Sequence, residues 1–367
     1  MNFHFLLKAA WVVLLFSTFA CQTPVQSDPK PVLGGAEPLS LMTGLLAGNG
    51  QYGYLDGQGD AARFYNPSSL ALLPDGNLLA LDRYNHRIRK ISPEGGVSTY
   101  WGAGERGNRD GDAATGRLNQ PIALLALADG AVVIADAQNH SIRKLSPDGQ
   151  LSTLAGTGSD GYQEGMTLQA EFNWPADLAA DSAGNLYIAD RYNHAIRRLS
   201  PQGEVKTLAG NGEAGSEDGT GKKAAFNEPM GIVMGPDQAL YVSDSQNNLI
   251  RRVTLQGEVT TYAGSGLPGS RDDIASKAEF RTPAGLDFDK QGNLYVADRL
   301  NHRIRVITPE KDVRSLGGNG KPGLTNGVGE NAAFSYPFDL VVGQEGQLYV
   351  ADYSNHALRV LRPQMAK

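Results

Sequence analysis

Six copies of one motif predict an all-β protein, a six-bladed β-propeller. The motif ADRYNHAIRRL begins at Ala189 and recurs in register, with its aspartates 54 residues apart at Asp82, Asp136, Asp190, Asp244, Asp298 and Asp352. A fixed period of this length is typical of repeat proteins. Each period holds four short strand-like runs separated by turn residues, and four strands per unit repeated radially form a propeller. The chain ends supply complementary strands, which predicts a closed ring.

Residues 1–20 have the pattern of a secretory signal. Lys8 precedes an apolar run from Ala9 to Phe19 that is too short to span a membrane comfortably, and Ala20 then precedes Cys21. Cys21 is the only cysteine of the chain and stands at the expected cleavage point. This arrangement resembles a bacterial lipoprotein signal, which implies that Cys21 becomes the lipidated first residue. The alternative is ordinary signal cleavage beside an incidental cysteine.

Residues 21–40 are predicted to form a tether. The segment after Cys21 is rich in proline and glycine and cannot bury a core, so it would hold the following domain away from a membrane. In lipoproteins, Asp directly after the cysteine favours the inner membrane, and here that residue is Gln22. The resemblance therefore implies an exported protein that is lipid-anchored in the bacterial cell envelope, at the outer membrane or its periplasmic face.

The third repeat illustrates the predicted blade. Leu151–Gly156 reads as a strand and is followed by a long glycine-rich loop, and Pro175 then opens a second strand. The run Leu186–Asp190 is almost entirely apolar, as expected for a strand buried on both faces. The next run, AIRRLS, supplies the last strand before the period repeats.

The two ends of residues 41–367 predict how the ring closes. The run Leu41–Gly48 matches the LSTLAG strand, although no other strand of its blade precedes it. The chain ends after ALRVLRP, where one more such strand is due. We therefore expect the N-terminal strand to complete the last blade, which removes exposed sheet edges.

The composition argues against a nucleic-acid partner and against stabilisation by disulfides or a cysteine zinc site. The formal net charge is −6, which argues against nucleic acid because a phosphate backbone calls for a basic stripe. One cysteine cannot build a disulfide framework or a cysteine zinc site.

The motif set F-x-x-P followed by G-x-L-Y-V-A-D-x-x-N-H-x-I-R resembles the NHL-repeat family of β-propellers, from Leu41 to about Arg362. Two departures stand out: Asn248 replaces the motif His in the fourth repeat, and Leu118 replaces the Phe in the second. Members of this family act mostly as interaction scaffolds. The resemblance thus implies a binding function, although a fold alone does not fix one.

Residues present in every repeat are interpreted as structural. An arginine follows each motif Asp by seven residues, which predicts an Asp–Arg contact within each blade. The histidines after the signal each lie in a different blade and cannot converge on a metal ion. They are His86, His140, His194, His302 and His356.

Positions that differ between repeats are better candidates for a site. The third repeat reads WPAD and the sixth YPFD, so Trp174 accompanies Asp177 and Tyr336 accompanies Asp339 on opposite blades. Two carboxylates facing across the channel could hold a polar ligand or a divalent cation such as calcium, with the aromatic rings as walls. The alternative is that both aspartates cap local backbone.

Arginine directly follows the motif Asp in alternate blades, at Arg83, Arg191 and Arg299. These three side chains are expected to ring the loop face around the channel, where they suit an anionic ligand. The alternative is a solvated face on which the alternation arises by chance.

The sequence therefore predicts a monomeric, non-enzymatic binding or interaction scaffold that holds a protein or a small polar ligand at the channel mouth. No cofactor is expected apart from a divalent cation at Asp177 and Asp339. The competing hypothesis is a metal-dependent hydrolytic enzyme, because related propellers include lactonases and lyases with a divalent ion in the channel. The sequence leaves open whether any catalysis occurs.

The predicted lipid anchor can be tested by replacing Cys21 with Ser. We expect the variant to leave the membrane fraction, because a thioether to the lipid cannot form at serine, whereas the wild type stays bound through a salt wash. Fractionation of both proteins by immunoblot provides the measurement. A variant that remains in the washed membrane fraction would argue for another means of attachment.

Overall fold

Each repeat folds into one antiparallel sheet, and six sheets surround a central channel. The structure, a computed structural model, describes residues 41–363. The innermost strands of successive sheets contact one another around the whole ring, including the sixth with the first. Among residues 41–363 the only helices are short 3-10 turns. The predicted six-bladed propeller is confirmed, whereas the predicted signal, Cys21 and the tether lie outside the described residues.

Four strands run outward through each blade, listed here from blade 1 to blade 6. The innermost strands are β3 (Pro67–Leu72), β7 (Ala123–Ala126), β12 (Pro175–Ala180), β17 (Pro229–Met234), β22 (Pro283–Phe288) and β27 (Pro337–Val342). The second strands are β4 (Leu78–Asp82), β8 (Val132–Asp136), β13 (Leu186–Asp190), β18 (Leu240–Asp244), β23 (Leu294–Asp298) and β28 (Leu348–Asp352). The third strands are β5 (Arg87–Ile91), β9 (Ser141–Leu145), β14 (Ala195–Leu199), β19 (Leu249–Val253), β24 (Arg303–Ile307) and β29 (Ala357–Pro363). The fourth strands are β6 (Gly96–Trp101), β10 (Leu151–Ala155), β15 (Glu204–Ala209), β20 (Glu258–Ala263), β25 (Asp312–Gly317) and β1 (Leu41–Ala47).

Five blades also carry a short outermost strand that the sequence did not predict. The long loop leaving one blade runs along the outer edge of the next and pairs there over two residues. These strands are β2 (Gly57–Gln58), β11 (Gly165–Met166), β16 (Gly219–Thr220), β21 (Asp273–Ile274) and β26 (Gly327–Val328). Such short pairings have too few residues to show a strand pattern, although they cover the edge of the sheet.

The N-terminal strand closes the ring as predicted. Strand β1 pairs antiparallel with β29, from Leu41 opposite Pro363 to Ala47 opposite Leu358. Blade 6 is thus built from both ends of the described chain. All six second strands are buried along their whole length, as the apolar runs predicted.

A fully buried Asp–Arg pair stands at the centre of every blade. In blade 3, Asp190 accepts hydrogen bonds from Arg197 at 2.8 Å, from the side chain of Asn193 at 2.8 Å and from the backbone N–H of Asn173 at 2.7 Å. The Arg197 guanidinium also packs over Phe172, 5.5 Å from the ring centroid, and donates to two carbonyls of the long loop. The same pair joins at 2.7–2.9 Å in the other five blades. The predicted Asp–Arg contact is therefore present throughout.

Asp190 and Arg197 are both charged at neutral pH, because the pKa of Asp190 lies below 7. Burial raises the pKa of Asp190 to about 6, and Arg197 together with the three hydrogen bonds opposes that rise. Removing either partner would leave an uncompensated buried charge, which typically destabilises a protein by about 3–5 kcal/mol.

The motif histidines join neighbouring blades. His86 has left-handed backbone with φ 52°, and its Nδ1 accepts the N–H of Gln120, the residue before the proline of the next blade, at 3.1 Å. The other four histidines make the equivalent bond, to Trp174, Glu228, Tyr336 and Asn66. In blade 4 the Oδ1 of Asn248 accepts the N–H of Thr282 at 3.0 Å, so Asn supplies the same acceptor in the same geometry. The histidines thus have the structural role predicted for them.

Substitution of His86 tests this interblade bond. We expect His86→Asn to stay within about 0.5 kcal/mol of wild type at pH 8, because Asn tolerates left-handed backbone and keeps an acceptor. His86→Ala should lose about 1–3 kcal/mol, because the Gln120 N–H is left without a partner. Urea unfolding gives both values.

The same variants carry a pH signature. Burial, together with Arg106 and Arg87, lowers the pKa of His86 in the folded protein. The unfolded chain therefore takes up the proton first, and wild type should lose stability relative to His86→Asn as pH falls below about 6.5. Coincident pH profiles, or equal losses in the Asn and Ala variants, would contradict the role assigned to Nδ1.

Candidate functional site

The channel has one mouth built from positions that differ between blades. The residue before each inner-strand proline and the residue after each motif Asp lie at the same end of the channel, because the proline pairs with the Asp, as in Pro175 opposite Asp190. We call this end the channel mouth. The residues before proline all have φ between 48° and 58°: Asn66, Gln120, Trp174, Glu228, Thr282 and Tyr336. Left-handed backbone is unfavourable for such residues, and the interblade bonds described above hold it in place.

Arg83 crosses the mouth from blade 1. Its side chain is only 8% exposed, and its Nη1 donates to the Tyr353 hydroxyl at 3.2 Å. The guanidinium lies 5.3 Å from the ring centroid of Tyr84, 5.8 Å from that of Trp174 and 5.9 Å from that of Tyr353. Among residues 41–363 no carboxylate forms a salt bridge with Arg83. Its charge is therefore surrounded by aromatic rings alone.

Arg299 is the second cation without a counterion. It packs 5.2 Å from the ring centroid of Phe338 and 6.0 Å from that of Tyr336, and within the described part of the chain it forms no hydrogen bond or salt bridge through its side chain. Burial lowers the pKa of Arg299, and the positive charges of Arg191 and Arg83 lower it further. Arg299 and Arg83 approach each other through one stacked pair of rings, because Arg299 packs on Phe338, Arg83 packs on Tyr353, and these two rings lie 5.2 Å apart.

Arg191 differs because it is neutralised. Its guanidinium donates to Glu228 of the next blade at 2.5 and 3.1 Å. The mouth thus holds two unpaired positive charges, on Arg83 and Arg299, beside one internal ion pair.

Apolar residues form the floor of the mouth. Ile122, Met230 and Phe338, each directly after an inner-strand proline, are 1–5% exposed and belong to one core cluster against which Trp174 and Tyr353 pack. Phe338 stacks on Tyr353 with ring centroids 5.2 Å apart. The Trp174 Nε1–H is buried without a hydrogen-bond acceptor among the described residues. Two cations, a free N–H donor and aromatic walls form a surface that can hold an anion in place.

The two channel aspartates lie in a separate cavity. Asp177 and Asp339 line a space of about 10 Å³ together with Ser69, Gly231 and Gly285, which is room for about one water molecule. Both also line an adjoining space of about 210 Å³, together with Asp287 of blade 5. Trp174 and Tyr336 line neither space. The WPAD and YPFD segments therefore place their aromatic rings at the mouth, with the arginines, and their acids in this cavity.

Both aspartates bind backbone across blade boundaries. Asp177 accepts the N–H of Leu178 and that of Ile232 in the next blade, both at 2.8 Å. Asp339 accepts the N–H of Leu340 at 2.8 Å and that of Leu70, in blade 1, at 2.9 Å. Each carboxylate thus ties its inner strand to the neighbouring one. The backbone-capping alternative raised by the sequence is present in the structure, whereas cation binding stays a prediction.

Burial and mutual repulsion shift the titration of this pair. Burial raises the pKa of Asp177 well above its ordinary value, and the charge of Asp339 raises it further. Burial also raises the pKa of Asp339, to about 7. The charge of Asp287 raises the pKa of both aspartates further. Carboxylates this close resist ionising together, so the folded protein retains a proton there more readily than the unfolded chain does.

Three tyrosines leading to the mouth were missed in the sequence. Tyr52, Tyr65 and Tyr84, all around blade 1, form a row with successive ring centroids 5.2 and 5.0 Å apart. Comparing each repeat position across blades would have revealed them. The residues equivalent to Tyr65 are Asn119, Asn173, Asn227, Arg281 and Ser335, all polar.

The described residues show two further absences. Residues 41–363 contain no group of three or more His, Cys, Asp or Glu side chains arranged to bind a metal ion. Within the same range, no helix has the length and apolar character needed to cross a membrane.

Comparison with known families matches most of the propeller. Residues 69–316, more than half of the chain, match the family described as SMP-30/gluconolactonase/LRE-like region, and residues 334–361 match the NHL repeat. NHL repeat-containing protein 2 of Bos taurus is 31% identical over 325 residues, which cover 77% of this chain and 44% of that protein. SUPPRESSOR OF QUENCHING 1 of Arabidopsis thaliana, a chloroplastic protein, is 30% identical over 316 residues, covering 80% of this chain and 30% of that protein. This chain thus spans less than half the length of both relatives.

Solved structures share the fold. A protein of Bacteroides ovatus described as an auxiliary nutrient binding protein superimposes with a TM-score of 0.67 at 17% identity, covering 89% of this chain and 77% of that one. At this identity the similarity concerns the fold alone.

Replacement of Asp177 by Asn tests the shared proton. Burial raises the folded pKa of both aspartates, to about 7 for Asp339, so the stability that their proton contributes is present at low pH and is lost as pH rises through the folded pKa. We therefore expect wild type to lose stability from pH 5 to pH 8 more steeply than Asp177→Asn, by up to about 1.4 kcal/mol per pH unit for one extra bound proton. Urea unfolding across this range measures the slopes, with the exposed Asp129→Asn as the matched control. Parallel slopes for wild type and Asp177→Asn would contradict the shared proton.

The cation hypothesis is tested on the same pair. If Asp177 and Asp339 bind calcium, magnesium or manganese, the ion should raise the wild-type melting temperature by mass action, and the double Asn variant should lose that response. Melting curves that none of the three ions shifts would exclude a site for these metals.

Proposed function

Because this chain belongs to the NHL-repeat β-propellers, with the SMP-30/gluconolactonase/LRE-like region as its main match, we propose that it is a non-catalytic binding protein of the bacterial cell envelope. The ligand is an anion held at the channel mouth. The observation that carries this proposal is the pair of arginines, Arg83 and Arg299, which pack on the adjoining rings of Tyr353 and Phe338 without a counterion among the described residues.

The energetics of these two charges favour an anionic ligand. Placing a guanidinium among aromatic rings removes water from it, and cation–π contacts of about 0.5–2 kcal/mol compensate only in part. An anion that bridges Arg83 and Arg299 would supply charge-assisted hydrogen bonds and relieve the repulsion between them. The buried Trp174 Nε1–H offers a further donor. Arg191 cannot contribute equally, because Glu228 already neutralises it.

The envelope location rests on the signal pattern before Cys21 and the tether that follows it. A lipid-anchored propeller would present its channel mouth to molecules in the surrounding compartment. The name of the Bacteroides ovatus protein, an auxiliary nutrient binding protein, supports a ligand-binding role on this fold.

The alternative of a metal-dependent lactonase or lyase has one argument in its favour, the match to the gluconolactonase-like family. The channel geometry supports it less well. Asp177 and Asp339 each already accept two backbone N–H groups, and Asp287 accepts the N–H of Val342. Within residues 41–363 no three His, Cys, Asp or Glu side chains are arranged to bind a metal ion. Divalent calcium usually takes six to eight oxygen ligands.

The proposal is tested with simple anions and three matched arginine variants. Titration calorimetry with citrate, phosphate, sulfate and D-galacturonate should detect binding by wild type that weakens with added salt. Arg83→Gln and Arg299→Gln should each reduce affinity by about tenfold or more, because a charge-assisted hydrogen bond contributes about 1.5–3 kcal/mol. Arg191→Gln, at the same position of its repeat, should change affinity less.

Melting curves of the three variants confirm that each remains folded. Absence of binding for all four anions, or an equal loss in Arg191→Gln, would overturn the assignment of the ligand to this arginine pair.

A further inference from the structure

We propose that the anion belongs to an acidic oligosaccharide, whose sugar rings lie along Tyr52, Tyr65 and Tyr84 while its carboxylate reaches Arg83 and Arg299. This inference rests on the proposed function and adds a second contact surface, the three tyrosines, to the anion site at Arg83 and Arg299. We call these three residues the tyrosine row.

The tyrosine row is exposed and continuous. Tyr52 is 68% exposed, Tyr65 37% and Tyr84 36%. Their ring centroids are 5.2 Å apart from Tyr52 to Tyr65 and 5.0 Å apart from Tyr65 to Tyr84. Neighbouring ring planes are tilted by 35° and 47°, so the three partly exposed rings form a stepped line rather than a flat surface.

The tyrosine row ends beside the unpaired guanidinium of Arg83. The Tyr84 ring centroid lies 5.3 Å from the Arg83 guanidinium, and its hydroxyl lies 3.5 Å from that of Tyr353, which accepts a hydrogen bond from Arg83. A ligand lying on the row would thus meet Arg83 at its inner end.

The propeller scaffold does not require these rings. Positions equivalent to Tyr52 carry Arg106, Asp160, Ala214, Pro268 and Pro322, and those equivalent to Tyr84 carry Gln138, Tyr192, Gln246, Leu300 and Ser354. Only blade 1 is aromatic at all three positions of the row. Tyr52 and Tyr65 do pack edge-on against His356, but that contact uses one side of each ring and leaves the rest exposed.

The shape and chemistry of the row favour a sugar chain over a protein. A sugar ring has an apolar C–H face that stacks on an aromatic ring and hydroxyls that bond to phenol oxygens. The row is a single file of rings, whereas a stable protein partner usually covers about 800 Å² per side with an apolar centre. Charge complementarity with Arg83 and Arg299 selects acidic sugars, such as uronates, over neutral ones.

Calorimetry with ligands of different length tests the inference. The probes are monomeric D-galacturonate and the tetramers of galacturonate, mannuronate and hyaluronan, with cellotetraose as the neutral comparison and tetraglutamate as the peptide comparison. At least one acidic tetramer should bind wild type about tenfold or more tighter than the monomer, because each additional stacking contact contributes further affinity. Cellotetraose should bind more weakly than that tetramer.

Variants locate the gain in affinity. The double variant Tyr52→Ala, Tyr65→Ala should bind monomer as wild type does and lose the gain for the tetramer, whereas Tyr52→Phe, Tyr65→Phe should keep most of it. Tyr100→Ala, an exposed tyrosine of blade 1 outside the row, is the matched control and should change neither value.

The outcomes separate the two proposals. If the monomer binds and no acidic tetramer binds more tightly, the oligosaccharide inference is overturned while the anion site stands. If tetraglutamate shows the gain and the double Ala variant abolishes it, the row is a peptide site and the inference is overturned. If no anion binds at all, the proposed function itself fails.

Discussion

The buried Asp–Arg pair is the constraint on which the rest of this propeller depends. In blade 3, Asp190 and Arg197 are fully buried, and their hydrogen bonds reach the motif Asn193, the backbone before the inner strand and the long loop that arrives from the preceding blade. One charged pair therefore fixes where three segments of the chain meet. Because breaking such a pair leaves a buried charge, every repeat has to keep both partners, seven residues apart.

In this scaffold, the residues repeated in every blade stabilise the fold, whereas the residues that vary between blades occupy different positions. The motif Asp, Arg and Asn bond to one another and to backbone within each blade, and the motif His uses its Nδ1 for the bond to the next blade. The residues directly before the inner-strand proline and directly after the motif Asp are held in place by the same network while their side chains remain free to vary. Arg83 and Arg299 can therefore face the mouth without a counterion, because their backbone lies in 3-10 turns that do not involve their charges.

The sequence predicted the blades, the ring closure and the Asp–Arg contact because each depends on backbone period and strand order. It did not predict which variable side chains pair. Arg191 meets Glu228 in the next blade, whereas Arg83 turns across the mouth toward Trp174 in blade 3, and this difference depends on side-chain directions that a repeat period does not encode. The same limit explains why Trp174 and Asp177, three residues apart, face different spaces. The tyrosine row was missed because its three members lie at positions 52, 65 and 84, which only the folded blade brings together.

In the small channel cavity, the carboxylates that could have bound a ligand instead bond to the inner strands of neighbouring blades. Gly231 and Gly285 stand where the other blades carry larger residues, since a side chain at Gly231 would meet the Ala284 carbonyl and one at Gly285 would meet Asp339. The inner strands are thus drawn together until Asp177 and Asp339 bond to backbone N–H groups of their neighbours. A carboxylate with two such bonds has less capacity left for a ligand. The apolar residues Ile122, Met230 and Phe338, which form the floor of the mouth, also line this cavity. The variable side chains that remain partly exposed lie at the mouth and beside it, where the unpaired Arg299 and the tyrosine row are found. In this propeller the inner strands are joined by the channel aspartates, and the anion site that we propose lies above them.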